Sequence, residues 1–247
     1  MRRYIIWTTL VFVALGAGYA AVVWNERQEL RALRETTAIW TATPPTIDGR
    51  LDELVWNLAQ VTSEFVYSDA RAKAPLPCRA RVVWTDHAVY FAFVVVDHDI
   101  TAPHTIRDEP LYTRDVVEVF IDSNGDTKDY FEFEVSPRGT VFDAYFPSYR
   151  ENLERSKQFT AASFEVAVHV NGTLDSAEAD RGYTVEMKVS YSELGLAGAP
   201  KAGERWRINM FRIDYHGPDD ADYTAWNAPL VGDFHALDRF GQLRFVR

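Results

Sequence analysis

The sequence predicts an all-β fold, an antiparallel β-sandwich, on three observations. Apolar and polar residues alternate through many short runs, as on strands with one buried face. Those runs are rich in Val, Phe, Tyr and Trp, the residues that fit a pleated surface. Turn signals separate most of them: "SNGD" at 123–126, "SPRG" at 136–139, "NG" at 171–172 and "GP" at 217–218.

In chain order, Arg2 and Arg3 precede an uncharged apolar run, Tyr4–Trp24, near the ~20 residues that cross a bilayer. Residues 1–24 therefore read as a transmembrane anchor or a signal sequence. A retained anchor is preferred, because the apolar run continues past the small residues Gly18 to Ala20. The two arginines hold the N-terminus cytoplasmic, which puts the domain outside the cytoplasmic membrane, periplasmic or extracellular. The alternative is secretion after signal cleavage. Asn25 to Thr37 is charged and helix-prone, so residues 25–42 read as a helical stalk and linker. "TATPPT" at 41–46 breaks it, and the sandwich is expected over 43–247.

Expected strands are 64–67, 78–86, 88–97, 115–122, 130–136, 140–146, 164–172, 183–190, 205–215, 223–228 and 241–246. Helix is scarce: Leu51–Ala59, a turn near Tyr191, and part of Ser148–Ser156. Two neighbouring strands carry carboxylates on one face. "DVVEVFID" alternates Val117, Val119 and Ile121 against Glu118, Phe120 and Asp122; "YFEFEVS" sets Glu132 and Glu134 with Tyr130 against Phe131, Phe133 and Val135. Solvent exposure explains this blandly; a polar binding surface or a metal ion explains it sharply.

Composition bounds the function. A net charge of −10 argues against a nucleic-acid partner, which needs a basic stripe. The single cysteine, Cys78, excludes an intrachain disulfide and a Cys-based zinc site. No nucleophile elbow, HExxH or phosphate loop is present, and no enzyme is expected. Asp122, Asn124 and Asp126 have the spacing of a calcium loop's opening. Phe133 stands where such a loop places its bidentate glutamate, and an Asn-Gly hairpin accounts for the same residues without metal. Calcium is thus the one cofactor the sequence suggests. Aromatic plates beside charged or amide groups suit sugar rings, which pair flat C–H faces with hydroxyls. Tyr112 lies in a loop with Arg107, Trp226 beside Asn227, and Phe234 beside His235.

Several segments, in order, resemble family 9 carbohydrate-binding modules: "TIDGRLDELVWNLAQ" (46–60), "VVWTDHAVYFAFVVVDHDI" (82–100), "DVVEVFID" (115–122), "RWRINMFRID" (205–214) and "RFGQLRF" (239–245). The likeness covers roughly Thr43 to Arg247. It implies a β-sandwich that binds a mono- or oligosaccharide, or a polysaccharide end, between two aromatic plates, with a glutamate accepting from hydroxyls and with structural calcium. The plates fall on Tyr112 and Phe234, and the acceptor on Glu118. This chain departs by carrying Tyr and Phe where the family carries tryptophan, Glu134 for an arginine, Phe211 for a glutamine and Val231 for an asparagine. Asn209, Arg212 and His235 complete the candidate site. Alternatives are a haem b-binding electron-transfer domain, drawing on Met187 or Met210, and an envelope protein-interaction domain with a decayed sugar pocket.

Overall fold

The alternating segments pair into one curled sheet in the computed structural model, which describes residues 22–217 and 220–247. The strands are β1 (Glu35–Trp40), β2 (Val66–Tyr67), β3 (Cys78–Trp84), β4 (Ala88–Val95), β5 (Val116–Asp122) and β6 (Tyr130–Val135). They continue with β7 (Val141–Phe146), β8 (Glu165–Asn171), β9 (Gly182–Ser190), β10 (Arg205–Gly217), β11 (Asp220–Ala225) and β12 (Gly241–Val246). Residues 22–31 are helical, as part of α1; α2 (Leu54–Leu58) and α3 (Leu153–Ser156) are short, and the Asn152 side chain accepts from the backbone of Glu154 and Arg155 at the start of α3.

The strand order is β7-β6-β5-β10-β12-β1-β3-β4-β9-β8, with β11 joining β10 to β2. Val119, Ile121, Phe133 and Met210 from one half share a buried cluster with Phe91, Phe93, Val185 and Met187 from the other. The two halves therefore face each other across one core, as sandwich packing requires. They belong to a single hydrogen-bonded path, and that path is mixed. β1 runs parallel to both β12 and β3, so the expectation of a purely antiparallel sandwich is corrected.

The same strand corrects the expected 25–42 stalk and linker. Residues 22–31 are helical, but Glu35–Trp40 fills a central position in the sheet, with Thr36 and Ala38 buried. Two threonines and an isoleucine favour strand there, and the slot between β12 and β3 decides it. Residues 1–21, most of the expected anchor, lie outside the described residues. Among the described residues no helix is long and apolar enough to cross a membrane.

A second core layer positions the site. Phe120, Tyr130, Phe142, Phe146, Phe211 and Phe240 pack on the opposite face of β5, β6, β7 and β10 from the main core. β5 and β6 are consequently buried on both faces, and their carboxylates are not a solvated surface.

Candidate ligand-binding cleft

Antiparallel register builds the floor of the cleft. On β5 and β6, Glu118 pairs with Glu134 and Phe120 with Glu132, so Glu118, Glu132 and Glu134 project to one side. Phe211 continues the row across β10 and Phe142 across β7. Above this floor lies a cavity of about 540 Å³ lined by all three glutamates, Tyr112, Arg150, Tyr223, Asp233, Phe234 and His235. Tyr112 sits on a 3-10 turn, Leu111–Thr113, with 48% of its surface exposed. Phe234 is stacked on Phe211, with centroids 4.1 Å apart and planes at 10°, and meets Tyr223 edge-on at 6.3 Å. One wall is therefore a braced aromatic pair.

The floor is electrostatically unusual. Glu118, Glu132 and Glu134 are 2%, 6% and 1% exposed. Burial, then the neighbouring carboxylates, pushes Glu118 and Glu134 well above the usual range. Burial raises Glu132 to about 7, against the favourable influence of its hydrogen bond with Glu134 and of Arg150. Glu134 Oε2 is buried without a hydrogen-bond partner. At the rim, Arg150 donates from Nε and Nη2 to Asp233, at 2.8 and 2.7 Å. Despite partial burial, that pairing and the Tyr149 hydroxyl hold Asp233 at about 2. Burial, then Arg150, pushes His235 down to about 4, and its Nδ1 lies 2.6 Å from the Tyr130 hydroxyl.

Of the residues expected from sequence, Tyr112, Glu118, Glu134, Phe234 and His235 share this cleft. Arg107, Asn209, Arg212 and Trp226 are not among its lining. Arg212 pairs in register with Val117, which puts its side chain on the core face, away from Glu118. There its Nη2 lies 3.0 Å from Asp97 and 2.7 Å from Asp214. Trp226 is buried in the main core. Asn209 clamps the loop after β11, donating to Asn227 O at 2.8 Å and accepting from Asn227 N at 3.0 Å. Arg107 pairs with Asp143. Arg150, Tyr223 and Asp233 were missed, and Glu132, marked as one of the same-face carboxylates, was not carried into the candidate site. Glu132 was within reach, since it shares strand parity with Glu134. Arg150 and Asp233 come together from loops 83 positions apart, and no local pattern announces them.

The expected calcium loop closes as a turn. Asp122 Oδ1 accepts from Gly125 N at 2.7 Å and Oδ2 from Thr127 N at 2.9 Å. Asn124 accepts from Asp126 N, and Asp126 from Lys128 N. These are the side-chain-to-backbone bonds of Asx turns. Among the described residues, the convergent donor groups are Asp97, Asp115 and Asp214, and Asp99, Asp214 and His216; the 122–126 loop is not one of them. Met187 and Met210, on which the haem alternative draws, are both fully buried in the main core.

Residues 47–247 match the family described as "Carbohydrate family 9 binding domain-like". This chain belongs to that family. Its fold is also that of a family 9 carbohydrate-binding module from Caldicellulosiruptor kristjanssonii solved with cellotriose. The TM-score is 0.58 at 17% identity, covering 86% of this chain and 94% of that one. A structure of a family 9 module from the same organism with glucose gives a TM-score of 0.59 at 18% identity, covering 87% and 97%. At such identity the likeness speaks for the fold alone. Among curated proteins, the chain is 26% identical over 144 residues to an extracellular protein of Arthroderma benhamiae, covering 56% of this chain and 64% of that one. It is 26% identical over 202 residues to the exoglucanase XynX of Acetivibrio thermocellus, covering 81% of this chain. It spans only 16% of that enzyme's length. Carbohydrate family 9-like modules are thus found both alone in solved structures and as parts of much longer proteins.

Proposed function

We propose that this family 9-like domain is a non-catalytic carbohydrate-binding module that holds a sugar, or the end of an oligo- or polysaccharide, in the cleft above β5 and β6. The observation that carries the reading is the convergence, in one cavity of about 540 Å³, of Tyr112, Tyr223 and Phe234 with three buried glutamates. A pyranose ring stacks its C–H face on Tyr112, Tyr223 or Phe234. Its hydroxyls donate to the glutamate oxygens, and the partnerless Glu134 Oε2 gains the hydrogen bond it lacks. The module solved with cellotriose and with glucose supports this choice of ligand class. Export belongs to the same reading, supported by the apolar run Tyr4–Trp24 and by a relative named as an extracellular protein. The floor also suits binding without turnover: the glutamates are crowded and buried on rigid strands, and the nearby imidazole is hydrogen-bonded to Tyr130.

Isothermal titration of the full chain, in a detergent without a sugar headgroup, against a panel of mono- and oligosaccharides tests the reading. Saturable heat with at least one sugar, lost on Tyr112→Ala with Phe234→Ala, supports it. No heat with any member of the panel refutes it.

A further inference from the structure

The floor carries more carboxyl groups than a neutral sugar needs. Glu118, Glu132 and Glu134 sit side by side, and among the described residues Arg150 is the one guanidinium in the lining. Arg150 is already engaged twice by Asp233. His235, the remaining basic side chain of the lining, is hydrogen-bonded to Tyr130 and is uncharged at neutral pH. Among the described residues, the glutamates therefore have no cation of their own within the cleft. They are also not among the groups whose oxygens converge tightly enough for a metal ion.

We infer that the cleft is shaped for a sugar bearing a free amine, whose ammonium group rests over Glu118, Glu132 and Glu134 while its ring stacks on the aromatic wall. This rests on the sugar-binding reading above and names the ligand class. An ammonium brings three donors and a full charge to carboxyls that, once ionised, only accept, where a hydroxyl brings one donor. Charge-assisted hydrogen bonds are roughly twice as strong as neutral ones. The faces of Tyr112, Tyr223 and Phe234 also attract cations. The rings matter to the choice: a linear polyamine would satisfy the carboxylates but leave the stacked Phe211–Phe234 wall without a flat partner. Burial holds protons on the floor, and an arriving ammonium favours their loss. Binding therefore releases protons from the floor near neutral pH and weakens in acid, where the carboxyls stay neutral.

The test titrates the full chain with glucosamine, glucose, N-acetylglucosamine and putrescine at pH 5.5 and 7.5, in buffers of differing ionisation enthalpy. It is repeated with Glu134→Gln. At pH 7.5, glucosamine is expected to bind at least about tenfold more tightly than glucose or N-acetylglucosamine, with protons lost by the floor and taken up by the neutral fraction of the amine, a linkage that glucose lacks. That preference shrinks at pH 5.5 and in Glu134→Gln, which loses more affinity for glucosamine than for glucose. Glucose binding as tightly as glucosamine overturns the amine preference and leaves the sugar-binding reading standing. Putrescine matching glucosamine overturns the role of the ring. Equal loss of both sugars in Glu134→Gln makes that residue a scaffold and overturns its role as the amine's partner. No heat with any sugar overturns both readings.

Discussion

Replacing Glu132 with glutamine isolates the cost of the buried floor. Glu132 is 6% exposed, and burial lifts its carboxyl from an ordinary 4.5 to about 7. At about 1.4 kcal/mol per pH unit, forcing it to ionise in the folded state costs about 3 kcal/mol. The sign follows from proton binding. Between pH 4.5 and about 7 the folded chain keeps a proton that the unfolded chain has released, so stability falls as pH rises through that window and is intact below it. Glu132→Gln keeps the shape and removes the ionisation. At pH 8 the variant should be more stable than the parent by up to about 3 kcal/mol, roughly 6–12 °C in Tm for a domain of this size. At pH 4 the two should nearly coincide. Thermal unfolding followed by circular dichroism across pH 4–8 measures the difference between them. A difference that stays flat with pH, or a variant less stable at pH 8, would show that the floor is not strained by its own charge.

Three further outcomes follow from the same geometry. Tyr112→Ala should lower sugar affinity about tenfold or more with little change in Tm, since this ring is half exposed and its stacking serves the ligand; calorimetry and a thermal melt on one sample check both. Arg212→Met should cost about 3–5 kcal/mol at pH 8 by leaving Asp97 and Asp214 buried without their cation. The loss should be smaller at pH 5, because burial raises Asp214 to about 6, and urea unfolding at the two pH values reads it. Gly182→Ala should destabilise by at least about 1–3 kcal/mol, because Gly182 has φ +126° and an added Cβ would collide with the Val95 carbonyl; the shift in urea midpoint measures it.

Much of this architecture is legible in the sequence, and the illegible parts share a physical cause. Period-two alternation marks β5 and β6 and puts Glu132 and Glu134 on one face of β6 before any register is known, because parity within a strand is local; the register of β5 against β6 adds Glu118 to that face. Parity between strands is not local. Arg212 reads from sequence as a candidate site residue, but its register against Val117 sends it to the core face, where Asp97 and Asp214 neutralise it. β1 escaped for a similar reason: its parallel neighbours β12 and β3 are remote in sequence, while the charged residues before it favour helix locally. Arg150 and Asp233 meet only through tertiary closure of two loops. The 122–126 loop shows the converse ambiguity. Asp-x-Asn-x-Asp spacing looks like metal chemistry, yet the same oxygens close turns by accepting backbone N–H groups.

The aromatic slot over the buried carboxylates is tested most directly by a crystal structure of the protein soaked with the tightest-binding sugar of the panel. The account predicts a pyranose ring in contact with Tyr112 or Phe234, with a hydroxyl or amine within hydrogen-bonding distance of Glu118 or Glu134. A sugar seated at another surface, leaving this cleft filled only by water, would contradict it.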